Sequence, residues 1–251
     1  MRRVTMKEKD RVIRQFNETS DGYLTSNVHA KGKDLGWIGE LVSRRKREKA
    51  LDVATGAGHT ALLLSKLVQE VVAVDLTPNM LKLAESQAKK NGCDNISFAI
   101  GDVEKLPFKD EEFEIVTCRI AAHHFPNLKQ AIKEMHRVLA NDGSLIIVDN
   151  FIPDNSGKQN RINTIEKLRD PSHHECISLT KWEELFHTVG FKDIVCHKTW
   201  TSSMDVNEWI DRAKPSEDNR EKIYELIDNE NLTWINRQQV HLQKVMWVCT
   251  K

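Results

Sequence analysis

Residues 51–61, LDVATGAGHTA, decide how this chain folds. A short run with buried-strand character, Leu51 to Val53, meets two glycines and then an apolar helical stretch. Gly56 and Gly58 carry no Cβ, so the backbone turns tightly there and lets a ligand come close. The helix that follows aims its positive end and its free N–H groups into that space. Read from Gly56, the stretch spells G-x-G-x-x-A, a dinucleotide fingerprint, and Asp75 closes the next strand 19 residues further on. A carboxylate at that place accepts hydrogen bonds from ribose hydroxyls. The turn and Asp75 together ask for an adenosine-bearing ligand and leave open which one.

Outward from this turn, apolar runs of strand length recur at Ala50–Ala54, Val71–Val74, Ile96–Ile100, Phe113–Cys118 and Ser144–Val148. The spacing predicts helices between them over Thr60–Leu67, Asn79–Asn91 and Leu128–Leu139. In the second, Met80, Leu81, Leu83, Ala84 and Ala88 share a face behind Pro78. In the third, Leu128, Ala131, Ile132, Met135 and Val138 form a 3.6-residue stripe, and Asn141-Asp-Gly143 is the expected stop. Short apolar strands alternating with helices predict an α/β fold with a mostly parallel sheet covered on both faces. A helix is expected over Asp34–Ser43. After Asp149 the pattern predicts a loop at Pro153–Gly157, a helix to Leu168, a helix over Lys181–Val189 ended by Gly190, and strands at Ile194–Thr199 and Lys244–Thr250. No internal repeat or low-complexity linker divides the chain. The expectation is a single domain over 1–251, with a core at 34–150 and lid and acceptor-pocket elements at 1–33 and 151–240.

The chain has 251 residues, with Lys plus Arg and Asp plus Glu equal at 37 each. No net field therefore favours nucleic acid or a membrane surface. The cluster Arg44-Arg-Lys-Arg47 is flanked by Glu40 and Glu48 and reads as the solvated end of a helix. No apolar run approaches the roughly 20 residues of a membrane span, and the polar start does not read as a signal peptide. Five cysteines, at 93, 118, 176, 196 and 249, are scattered without a C-x-x-C pair. Reduced thiols and a cytoplasmic location are expected.

Three features separate a nicotinamide-dependent oxidoreductase from an S-adenosylmethionine enzyme. Asp52 lies inside the first strand, where a buried carboxylate needs a cationic or hydrogen-bonding partner. The ammonium group of S-adenosylmethionine is such a partner, whereas a pyrophosphate would be repelled. Gly101-Asp102-Val103 closes the third strand and offers a carboxylate to the adenine amine and an N–H beside the ring. Two strand candidates follow the five-strand alternation, and the last can return antiparallel. A Tyr-x-x-x-Lys pair is also lacking. The three features favour S-adenosylmethionine.

On these residues the chain resembles class I S-adenosylmethionine-dependent methyltransferases, in the group of the ubiquinone/menaquinone-biosynthesis enzymes. The matching pieces are LDVATGAGHT (51–60), VVAVDLTPNML (71–81), IGDVEKLPF (100–108), FEIVTCRIAAHHF (113–125) and RVLANDGSLIIVD (137–149). YLTSNVHAKG (23–32) resembles the group's N-terminal lid and LRDPSHH (168–174) a segment of its C-terminal half. Ala54 departs from the pattern, standing where the wider superfamily has the first glycine of its turn. The resemblance implies a Rossmann-like, seven-stranded, mostly parallel sheet with its last strand antiparallel and a small helical lid. It implies S-adenosylmethionine as cofactor, with S-adenosylhomocysteine as product.

A sulfonium methyl group is already electrophilic, so the enzyme's task is alignment of an acceptor and exclusion of water, with no metal required. The expected cofactor contacts are Asp52, Ala54, Gly56, Gly58, Asp75, Leu76, Met80, Asp102 and Val103. Arg119 follows the fourth strand and either engages the cofactor or substrate or forms a salt bridge to a neighbour. His123 and His124 sit on the loop above it, and His124 is the candidate to face or deprotonate an acceptor. From the lid, Tyr23, His29 and Lys31-Gly32 are expected to close over the cofactor, by resemblance. His173-His174-Glu175-Cys176 has no zinc-like spacing, and Pro171-Ser-His173 reads as a lid turn. Tryptophans 182, 200, 209, 234 and 247 read as core packing. The expected partner is a small-molecule acceptor, with no nucleic acid, for a monomer or homodimer. A non-catalytic cofactor-binding protein of the same fold is the remaining alternative.

Overall fold

Seven strands pair in the order β3-β2-β1-β4-β5-β7-β6 in the computed structural model, which describes residues 2–25, 32–44, 48–154, 156–230 and 232–251. The strands are β1 (Lys49–Val53), β2 (Glu70–Asp75), β3 (Ile96–Ile100), β4 (Phe113–Arg119), β5 (Leu139–Asn150), β6 (Lys192–Asp205) and β7 (Gln239–Thr250). The first five pair in parallel, and β7 runs antiparallel between β5 and β6. The expected α/β architecture, with its returning last strand, is the one observed.

The helices are α1 (Arg2–Thr25), α2 (Lys33–Ser43), α3 (His59–Leu64), α4 (Pro78–Lys90), α5 (Leu128–Val138), α6 (Ser156–Arg169), α7 (Leu179–Val189), α8 (Val206–Ala213) and α9 (Glu217–Asn229). Side chains alternate across the central strands. Val72, Val74, Leu51 and Val53 pack on one face with Ile132 and Met135 of α5 and Trp182 and Phe186 of α7. Val71, Ala73 and Ala50 pack on the other with Ile38 and Val42 of α2 and Ala61 and Leu64 of α3. Burial on both faces is why these strands read as nearly continuous apolar runs. A third apolar cluster joins α6, α8 and α9 through Ile165, Trp209, Ile210 and Ile223.

Several element bounds differ from the sequence reading. The α5 helix ends at Val138, ahead of Asn141-Asp-Gly143, because Leu139 already has extended backbone (ψ 130°) and enters β5. The α3 helix stops at Leu64. Both β6 and β7 outrun their apolar cores, since they pair along Thr199–Asp205, which is exposed or half-buried, and Gln239–Val245, where half-buried polar residues and the buried Lys244 break the apolar pattern. A long N-terminal helix, α1, and the pair α8 and α9 were not expected.

Candidate active site

The carboxyl ends of β1, β2 and β4 open into a cavity of about 1040 Å³, roofed by Lys9, Val12 and Phe16 of α1. Open parallel sheets place ligands at these strand ends. Of the expected cofactor residues, Asp52, Ala54, Gly56, Asp75, Leu76, Met80, Asp102, Val103 and Arg119 all line it, as does His124. Gly58 does not line it. At φ +85° it starts α3, and a Cβ there would stand 2.9 Å from the Ala84 Cβ, so this glycine serves the close approach of α3 and α4. Of the lid candidates, the Tyr23 side chain, His29 and Lys31 lie outside the described residues.

Register explains Asp52. It pairs with Thr117 across β1 and β4, so both side chains leave the sheet on the same side. Thr117 Oγ1 donates to Asp52 Oδ1 at 2.7 Å, and Thr55 Oγ1 from the turn donates to Oδ2 at 2.6 Å. Burial pushes the Asp52 carboxyl from 3.8 up to about 6, against the pull of these two hydroxyls and of Arg119. The partners of this buried carboxylate are therefore two threonines, which the sequence reading did not anticipate.

Asp75 ties the second strand to the turn. Its Oδ2 accepts the Gly56 N–H at 2.9 Å and its Oδ1 the Thr77 N–H at 2.8 Å. Burial raises its pKa, and these N–H groups oppose the rise. Gly56 has φ +54° and Ala54 φ +51°. The left-handed backbone at Ala54 costs about 1 kcal/mol that glycine would avoid. The departure from the family pattern at this position is thus a matter of backbone strain as well as side-chain volume.

Asp102 is engaged by a cation from the roof. Lys9 Nζ stands 2.7 Å from Asp102 Oδ2 and 2.5 Å from Glu104 Oε2. Burial alone would lower the Lys9 pKa, but the two carboxylates raise it on balance. Lys9, Val12 and Phe16 were missed by the sequence reading. Their i, i+3, i+7 spacing was the available signal, since it sets all three on one face of α1.

Arg119 Nε donates to Asp34 of α2, and both side chains are buried. The salt-bridge reading of Arg119 thus holds for this end of the guanidinium. Beyond it Ile120 has φ +53°, a costly conformation for a β-branched residue, and its N–H donates to the Val148 carbonyl at 2.7 Å. That turn carries the chain into the short helix Ala122–His124. His123 faces inward, its N–H 2.9 Å from Asp149 Oδ2 and its Nδ1 2.6 Å from Asp149 Oδ1. Burial works against the His123 cation, and Asp149 outweighs it, raising the pKa. His124 lines the cavity, packs edge-on against Phe16, and sits with Nδ1 3.0 Å from Ser172 Oγ. Burial first, then the His123 charge, push its pKa down to about 4. Among the described residues no group of three His, Cys, Asp or Glu side chains is arranged to hold a metal ion. No described helix is long and apolar enough to cross a membrane.

Comparison with known proteins bears on this arrangement. Residues 51–147 match the methyltransferase-domain family. YcgJ of Bacillus subtilis, an uncharacterised methyltransferase, is 37% identical over 210 residues, which span 83% of this chain and 82% of its own. Its crystal structure superposes with a TM-score of 0.81 at 32% identity, covering 87% of this chain and 98% of that one. Demethylmenaquinone methyltransferase of Thermotoga maritima is 31% identical over 156 residues, 60% of this chain and 66% of the other. The same fold, at 17% identity and a TM-score of 0.68, occurs in Haemonchus contortus phosphoethanolamine N-methyltransferase 2, solved with phosphomonomethylethanolamine and S-adenosylhomocysteine; the match covers 97% of this chain and 60% of that one. Identity to YcgJ at this level, along most of both chains and on the same sheet, makes this chain a member of the methyltransferase-domain family.

Proposed function

We propose that the chain methylates a small organic acceptor, binding S-adenosylmethionine across the carboxyl ends of β1, β2 and β3. The observation that carries this reading is the row of Asp52, Asp75 and Asp102 on one cavity wall, beside a turn held in left-handed backbone. An ammonium group, ribose hydroxyls and an adenine amine are all donors, and three carboxylates in a row are matching acceptors. The bound cofactor would supply an activated methyl group. The residues supply position and dryness. Asp75 holds Gly56 and keeps lone pairs for the ribose, Leu76 and Met80 form apolar wall beside it, and Val12 and Phe16 close the cavity to water. His124 faces the acceptor. We read residues 1–33 and 151–240 as lid and acceptor-pocket elements of one domain, acting in the cytoplasm without a nucleic-acid partner or a metal, as a monomer or homodimer.

Calorimetric titration with S-adenosylhomocysteine tests the reading. Asp75→Ala is expected to weaken binding by about 1–3 kcal/mol, through stranded polar partners. Tight binding of NADH with no response to S-adenosylhomocysteine would overturn the proposal, and an unchanged affinity in the variant would overturn the ribose assignment.

A further inference from the structure

A second cavity, of about 780 Å³, adjoins the first, and His124 and Pro126 belong to the walls of both. His124 therefore borders both the first cavity and the second. Behind the ring lies a short buried chain of polar groups from the loop after α6. His124 Nδ1 is 3.0 Å from Ser172 Oγ, and Ser172 Oγ is 2.5 Å from Asp170 Oδ1. The Ser172 N–H also donates to Asp170 Oδ1, at 2.9 Å.

One proton decides what this chain does. A serine hydroxyl has a single hydrogen, and an ionised carboxylate can only accept. Burial works against the Asp170 charge, and a charged His124, Arg169 and the two bonds from Ser172 hold its pKa below the ordinary value; with His124 neutral, Arg169 and the two bonds from Ser172 remain. The Ser172 proton therefore points to Asp170. The serine oxygen is left to accept from His124, so the histidine proton sits on Nδ1. Nε2 then carries the lone pair. It has no partner among the described residues, and it is not among the shut-in unpaired atoms, which include Nδ1 of His173. It therefore opens onto the space that the ring lines.

We infer that Asp170 and Ser172 are positioning residues that fix His124 as the Nδ1–H tautomer, making Nε2 a general base for an acceptor that must lose a proton. The acceptor class is a protic nucleophile: a hydroxyl, an N–H or an acidic C–H, rather than a tertiary amine or a preformed carboxylate. As the acceptor atom bonds to the methyl carbon, the donor sulfur keeps the electron pair of the broken C–S bond. The acceptor's proton passes to His124 Nε2. Burial and the His123 charge disfavour the resulting imidazolium, and the Asp170 charge, relayed through Ser172, offsets part of that cost, as a third group orients and supports the base in other base–orienter arrangements.

This inference rests on the proposed methyl transfer, and its test separates the two. Long-range nitrogen–proton NMR of the ligand-free protein reads the tautomer of His124 directly, with the signal assigned by its loss in His124→Gln. The expected result is a protonated Nδ1 and an unprotonated Nε2 in the native protein. Ser172→Ala is expected to shift the ring toward the Nε2–H form or a mixture, and Ser172→Thr, which keeps the hydroxyl, to restore it. With labelled methyl donor and a panel of phenols, amines and carbon acids, Ser172→Ala is expected to lower turnover at least tenfold while S-adenosylhomocysteine affinity changes less than twofold. A native Nε2–H tautomer, or a tautomer indifferent to Ser172→Ala, overturns the relay whatever the panel shows. Failure of the native protein to bind S-adenosylhomocysteine overturns the methyl-transfer reading and leaves the tautomer result standing.

Discussion

Replacing Asp52 with asparagine should stabilise the ligand-free protein at neutral pH while weakening its hold on the cofactor. Asp52 is 1% exposed and its carboxyl is raised from 3.8 to about 6. Below pH 3.8 the group is protonated in both folded and unfolded states, and folding loses nothing. Between 3.8 and about 6 the folded protein keeps a proton that the unfolded chain has released, so stability falls as pH rises. Above about 6 the loss is complete, and the gap corresponds to about 3 kcal/mol. Asparagine fits the same two partners. Its Oδ1 accepts from Thr55, and its Nδ2 donates to Thr117 Oγ1, whose own proton can turn to the Leu51 carbonyl 3.4 Å away.

The assay is urea unfolding of both proteins, without ligand, from about pH 4 to about pH 7.5. Other groups titrate in this window, but they are common to both proteins and drop out of the difference. The stability of Asp52→Asn minus that of the native protein should rise by about 1–3 kcal/mol between about pH 4 and about pH 6.5, then level off. Affinity for S-adenosylhomocysteine should fall by roughly tenfold or more, the loss of a charge-assisted hydrogen bond. A difference that stays flat with pH would refute the placement of Asp52 as a buried, proton-holding carboxyl. A variant that binds as well as the native protein would refute its role toward the ammonium group.

The two turn glycines should behave differently when each is changed to alanine. At Gly58 a Cβ meets Ala84 at 2.9 Å on top of the positive φ, for an expected loss of about 2–4 kcal/mol in urea unfolding. At Gly56 no atom lies within 4 Å of the added Cβ, so only the backbone term of about 1 kcal/mol remains; equal losses would contradict the packing role of Gly58. Lys9→Met removes two half-buried ion pairs that pin α1 over the cavity. Stopped-flow release of S-adenosylhomocysteine should speed up about fivefold, from about 1 kcal/mol of lost anchoring, and should lose part of its salt dependence. An unchanged release rate would mean that Lys9 does not hold the roof.

The cavity wall at the ends of β1, β2 and β3 was largely legible because local rules act there. The apolar strand, the glycines and the strand-end carboxylates occur at fixed offsets, and those offsets gather them at one turn and one sheet edge. The roof was legible only through the spacing of Lys9, Val12 and Phe16, because the rest of the buried side of α1 is partly polar. Gln15 and Thr19 are buried beside Phe16's turn, where Gln15 Nε2 donates to the Ala213 carbonyl and Thr19 to the Gln15 carbonyl. Polar groups satisfied in this way hide a helix face from any count of apolar spacing. The α8 helix is the opposite case. Val206, Trp209, Ile210 and Ala213 form a 3.6-residue stripe behind Asp205, which caps two N–H groups, so the signal was present. The core role read for Trp209 agrees with its burial, but its spacing from these neighbours carried the helix itself. Ser172 was read as part of the lid turn Pro171-Ser-His173 and Asp170 only as part of LRDPSHH, since nothing local to that segment says that β4's loop brings His124 against it.

Ile120 shows why the acceptor side in particular resists a reading from local preference. A β-branched residue after FEIVTCR favours continued strand. The chain instead takes φ +53° there, held by the bond from Ile120 N–H to the Val148 carbonyl. Strain of this kind costs of order 1–3 kcal/mol and persists only where neighbouring structure overdetermines it. Here Asp149, next to that carbonyl, binds both the N–H and the ring of His123, so β5 grips the loop at two successive residues. With His123 drawn inward, its neighbour His124 is left lining the cavity and within reach of Ser172. The His-His pair is therefore two roles divided by one strained residue. His123 anchors the loop to the sheet, and that anchorage sets the His124 ring against Ser172, as the proposed base requires.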